Sequence, residues 1–177
     1  YNPERKMFNK MINFDENKNM IVDDTIDMSS IYGIYQFKVL DVNDQRVQDS
    51  IKTIEEKLRV KTNIDGIVRY EGDGFFKLSS AEYSNPWFNT TLWLAQYYII
   101  TAKDEDDLKV VKQWLLWGAK YALPSGVLSE QISPYTGYQV SAAPLAWSHA
   151  EYIVTVVKYL EKLEELGIID AAIKRPK

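Results

Sequence analysis

PWFNTTLWLAQYYIITA, residues 86–102, is apolar nearly all the way round. Trp87, Phe88, Leu92, Trp93, Leu94, Tyr97, Tyr98, Ile99 and Ile100 leave no solvated stripe at a helical repeat, so the segment reads as a helix buried on every side. Asn85 and Pro86 ahead of it read as a cap followed by proline at the first helical position. Residues 44–60 are patterned differently. Val47, Ile51, Ile54 and Leu58 form one stripe, while Arg46, Gln48, Lys52, Glu55, Glu56 and Arg59 lie elsewhere. Buried and half-exposed helices alternating along a chain are what two helical layers require.

Outward from these, four more helices are predicted: a short one at 3–12, then 25–39, 104–121 behind the acidic run Asp104-Glu105-Asp106-Asp107, and 144–166 stopping at Gly167. The fold class expected is all-α, built of antiparallel helical hairpins, with 26–39, 86–102 and 144–166 as the inner layer. The connections at 40–43 and 102–104 are short, whereas 13–24, 61–84 and 123–143 are long. In consecutive antiparallel helices alternate connections share an end, which places all three long loops together. Loops of that length are the usual seat of function.

Composition narrows the chemistry. With 46% hydrophobic residues the chain builds a core, and a net charge of −4 without a basic cluster speaks against nucleic acid. No apolar run approaches the roughly 20 residues that span a bilayer, so no membrane role is expected. Cysteine is absent and there is one histidine, which excludes disulfides and His- or thiolate-rich metal sites; no metal or other cofactor is expected. A cytoplasmic location is the expectation, although a start at Tyr1 without Met reads as a piece or a processed product.

The most chemically suggestive stretch is PSGVLSEQISPYTGYQVSAAPLAWSHAEY, residues 124–152. It sets Glu130 in a loop punctuated by Gly126, Pro134 and Gly137, then starts an apolar helix at Pro144. Glu130-Gln131 and Trp147-Ser148-His149 flank that junction, groups suited to a polyhydroxylated ligand. Arg69, with its planar fork of donors, suits vicinal hydroxyls or a salt bridge with Asp73 or Glu71. Trp87 and Trp147 suit either a sugar-binding cleft or the core. His149 reads as a satisfied buried histidine, and Trp93, Trp114 and Trp117 as packing.

Three blocks in order carry a resemblance: DTIDMSS at 24–30, GIVRYEGD at 66–73 with NPWFNTTLWLAQYY at 85–98, and SEQ-x3-YTG-x6-PLAWSHA from Ser129. Together they resemble the glucoamylase family, glycoside hydrolase family 15. The resemblance implies that Glu130 is the general base of inverting hydrolysis of an α-glucosidic bond, with Arg69, Asp73, Trp87, Gln131 and Trp147 binding substrate. Gly72 stands where the family often has an acidic residue. The family's barrel has six inner and six outer helices, an (α/α)6 toroid. Residues 1–177 would be the C-terminal half of that catalytic domain, without the general acid. The implied substrate is an α-glucan or a small α-glucoside, and the implied partner is the N-terminal half or a second copy. A trehalase or glucodextranase of the same family, or a non-catalytic half-domain that binds sugar, are the alternatives.

Overall fold

The structure, a computed structural model, describes residues 1–77 and 82–170. It is mainly helical, with little sheet. In chain order the elements are strands β1 (Met11–Phe14) and β2 (Met20–Asp23), helices α1 (Met28–Gln36), α2 (Gln45–Lys57), α3 (Phe88–Thr101) and α4 (Lys109–Tyr121), strands β3 (Gln131–Ile132) and β4 (Gln139–Val140), and helix α5 (Ala146–Glu165).

Helix α3 is the axis of the molecule. Phe88 through Tyr97 and Ile99 are all buried, because α1, α4 and α5 pack around it. Its threonines in the first turn are spent on that turn and on the loop beside it. Thr90 Oγ1 donates to Ile67 O at 2.7 Å, and Thr91 Oγ1 donates to Trp87 O at 2.7 Å while accepting from Ile67 N at 2.9 Å. A buried hydroxyl without such partners would cost on the order of 1–3 kcal/mol. Helix α2 is less buried, as its pattern predicts: Val47, Ser50, Ile51, Thr53 and Ile54 turn inward and the charged residues stay out.

Four local expectations are corrected. Residues 3–12 are not helical; they turn and run into the antiparallel β1–β2 hairpin, paired from Met11↔Asp23 to Phe14↔Met20. Asp15 drives this by accepting from the backbone N–H of Asn17 and Asn19, an Asx-type closure that competes with helix. Neither proline occupies a first helical position. Trp87 and Leu145 are the N-cap residues of α3 and α5, and Asn85 turns its amide to Phe76 O and Gln131 Oε1 instead of capping. The acidic run 104–107 lies in a turn ahead of α4, where Asp104 and Asp107 accept from backbone N–H groups. Helix α1 is shorter than predicted, and Phe37 just beyond it is exposed.

Helix α5 buries less than an inner helix would. Only Ser148, Thr155 and Leu163 are wholly inside, while Ile153, Val154, Val157 and Leu160 form an exposed apolar row. The helix ends as read, at Gly167, in a Schellman arrangement: Gly167 N donates to Glu164 O and Ile168 N to Leu163 O. Among the described residues no helix is long and apolar enough to cross a membrane.

The long connections, 58–87 and 122–145, meet at the end where α1, α3 and α5 begin. Backbone hydrogen bonds stitch them together: Met28 N to Arg69 O, Trp87 N to Ile67 O, Ile132 N to Pro86 O, and Leu145 N to Leu128 O. Gly66 is the tight point of this seam. Its φ is +105°, and a Cβ there would meet Pro86 Cβ at 2.7 Å and Trp117 Cζ2 at 2.8 Å. Gly66→Ala therefore combines backbone strain with overlap, and is expected to lower stability by about 1–3 kcal/mol. A urea denaturation midpoint equal to that of the unsubstituted chain would contradict the seam described.

Candidate active site

A concavity of ≈ 390 Å³ opens at the stitched end. Arg69, Trp87, Glu130 and Trp147 all line it, joined by Lys10, Asp27, Tyr70 and Trp93. Four of the six residues singled out from the sequence thus share one surface. Asp73 and Gln131 do not line it; both are buried behind it. A larger depression of ≈ 800 Å³ lies among the ends of α1, α3 and α5, and none of the six lines it.

Arg69 and Asp73 form a bidentate pair, with Nε to Oδ2 at 3.1 Å and Nη2 to Oδ1 at 3.0 Å. Glu71, the other partner considered, pairs with Arg5 instead. Asp73 also accepts from Phe75 N, so its oxygens are committed to holding structure. Gly72 makes this possible: at φ +77° it lets residues 70–73 turn back, a conformation in which a side chain would be strained. The guanidinium also sits 4.3 Å from the Trp87 ring centroid. Burial works against its charge, but Asp73 more than offsets this and the Arg69 pKa is raised. Its Nη1 makes no hydrogen bond among the described residues.

Glu130 is pinned through its backbone, with its N–H donating to Ala142 O at 2.9 Å and its carbonyl accepting from Phe88 N at 3.3 Å. Its side chain is gripped on one side only. Oε2 accepts from Ser141 Oγ and, at 3.5 Å, from Gln131 Nε2, while Oε1 accepts nothing among the described residues. Ser141 reaches it from a left-handed backbone position, φ 66°. Gln131 is fully buried, with its amide oxygen held by Asn85 at 2.8 Å, so it orients the loop.

Aromatic rings make the walls. Trp87 is 2% exposed, and its indole N–H has no partner among the described residues. Trp147 is 48% exposed and its ring lies 5.6 Å from that of Trp93, which is stacked on Tyr32 at 4.1 Å. His149 accepts from Leu128 N at 3.1 Å through Nε2, which fastens the start of the Glu130 loop to α5; it is satisfied as read, but half-buried rather than buried.

Lys10, Asp27 and Tyr70 were not legible as site residues. Lys10 Nζ lies 3.3 Å from Asp27 Oδ2 and 3.9 Å from the Tyr70 ring centroid. Asp27 is 4% exposed and caps α1, accepting from the N–H and Oγ of Ser29. The block at 24–30 pointed at Asp27 weakly; nothing pointed at Lys10, which arrives on a hairpin read as helix.

Comparison with known proteins gives a consistent picture. Residues 117–157, from α4 to α5, match the family described as Glycosyl hydrolases family 15. An uncharacterized glycosyl hydrolase of Methanocaldococcus jannaschii is 35% identical over 144 residues, covering 76% of this chain and 22% of that protein. A glucoamylase of a Clostridium species is 28% identical over 142 residues, covering 75% of this chain and 19% of that protein. The chain therefore spans about a fifth of the length of these relatives.

The stacked wall has an alkaline signature. Burial, and then the charge of Glu151, push the Tyr32 phenol from 10 up to about 12. A raised pKa means that the folded chain holds the proton more tightly. The associated stability is complete below pH 10 and is lost as pH rises towards 12. In an ultraviolet titration of tyrosinate, Tyr32→Phe should remove a step near pH 12; removal of a step near pH 10 would contradict the packing.

Proposed function

Because the chain is glycosyl hydrolase family 15-like, we propose that it is part of an inverting, exo-acting α-glucosidase that releases β-glucose from an α-glucan or a small α-glucoside. One observation carries this reading: a carboxylate gripped on one oxygen faces the same concavity as an arginine fork and two tryptophans. In single displacement the base must hold a water on the far side of the sugar from the leaving oxygen. Glu130 is arranged for that role, with Ser141 and Gln131 on Oε2 and Oε1 turned to no protein donor among the described residues. Arg69, steadied by Asp73, offers Nη1 to sugar hydroxyls; half-exposed Trp147 offers ring surface, while Trp87, 2% exposed, backs the guanidinium.

The acid comes from elsewhere. Asp27 is the other carboxylate on the lining, but it is committed to capping α1 and to Lys10. An acid and base in this chemistry stand about 6.5–9.5 Å apart across the bond, so the acid belongs to a surface that closes over the concavity. The exposed apolar row on α5 supports the same arrangement. Residues 1–177 would form half of an (α/α)6 toroid, completed along α5 by the N-terminal half of the enzyme or by a second copy.

Two assays test this. In the complete enzyme Glu130→Gln keeps the shape and removes the proton acceptor, so kcat should fall 10²–10⁴-fold, the usual magnitude of general-base assistance. Residues 1–177 alone should release no glucose from maltose. Turnover by the Glu130→Gln enzyme at the unsubstituted rate would take Glu130 out of the mechanism. Glucose release by the isolated chain would place the acid within it.

A further inference from the structure

Trp147 and Glu151 lie four residues apart on α5, one above the other on the same face. The indole N–H of Trp147 donates to Glu151 Oε1 at 3.3 Å. Glu151 is itself held, since its Oε2 accepts from Gln96 Nε2 at 2.8 Å. Gln96 is fully buried on α3, and its own oxygen accepts from Lys158 at 3.0 Å; Lys158 also reaches Gln36, at 2.8 Å. A line of hydrogen bonds thus runs from the end of α1, across α3 and α5, to the rim of the concavity. Trp147 needs it. Half exposed, its ring makes one aromatic contact among the described residues, a tilted one with Trp93, and a ring free to rotate must be ordered at a cost when a ligand binds.

We propose that Glu151 is a positioning residue: by taking the indole N–H it fixes the Trp147 ring, so that its face meets the apolar face of a sugar ring seated beside Glu130. This rests on the glucoside-binding reading above. Glu151 acts through Trp147 and touches no substrate. Its loss spares the core, because Gln96 Nε2 keeps a second acceptor in Thr155 Oγ1 at 3.1 Å.

The test has two arms. In the ¹⁵N–¹H spectrum of residues 1–177, the Trp147 indole resonance is identified by its loss in Trp147→Phe. Glu151→Ala should move it upfield and speed its exchange with water. In the complete enzyme, Glu151→Ala should weaken maltose binding about tenfold, the scale of one lost hydrogen bond. The loss should vanish in the Trp147→Phe background, as coupling through that ring requires. An unmoved indole resonance, or an equal loss of maltose affinity in both backgrounds, would overturn the proposal. Failure of the hydrolase reading would show separately, as full turnover by Glu130→Gln with the indole result intact.

Discussion

The backbone seam at the start of α1, α3 and α5 is the constraint on which everything else depends. The segments at 26–28, 67–71, 86–88 and 128–132 accept and donate main-chain hydrogen bonds in succession, without ever forming a full sheet. Buried peptide groups have to be paired. The described parts of the long connections are therefore held in place, although they contain little regular structure. Each helix start is fixed relative to the next by one or two such bonds. Arg69, Trp87 and Glu130 lie on the bonded residues themselves or next to them, and Trp147 follows two residues after the bonded Leu145. Their convergence is a property of the backbone before any side chain is considered.

The side chains then divide into those that face the concavity and those that hold them there. Asp73 holds Arg69, Gln131 and Ser141 hold Glu130, and Glu151 holds Trp147. The first two holders are nearly or wholly buried. A carboxylate such as Asp73 loses its hydration on burial and depends on the fork of Arg69 to offset that cost. The same pairing restricts Arg69 to one pose, so the electrostatic term and the positional term are one interaction.

Much of this was legible in the sequence. The all-round apolar run at 86–102 identified the central helix correctly, and the single stripe at 44–60 identified a half-exposed one. Loop lengths were enough to put Arg69 and Glu130 at one end. What escaped was decided at the scale of two or three residues. Asp15 converts a would-be helical start into a hairpin through local side-chain-to-backbone bonds. That hairpin brings in Lys10, whose meeting with Asp27 across 17 positions leaves no periodic trace. Asn85-Pro86 resembled a helix cap because the residue types fit one, but tertiary demand for the Asn85 amide at Gln131 prevailed. Asp73 and Gln131 were read as substrate-binding, but burial puts both behind the lining, where they hold Arg69 and Glu130.

The exposed apolar surface is the remaining physical problem. Ile153, Val154, Val157 and Leu160 follow one another along α5. One such residue on a surface needs no explanation, but a contiguous row marks an interface. The row flanks α5 downstream of Trp147, so whatever covers it also approaches the rim of the concavity. Covering the row would exclude water from it and from the half-exposed face of Trp147 together. A lower local dielectric would then, on the proposed reading, strengthen the charge interactions of Arg69 and Glu130. On the proposed reading, the same contact that buries the apolar flank delivers the missing acid. Stability of the assembled toroid and completion of the catalytic pair would then be two results of one association.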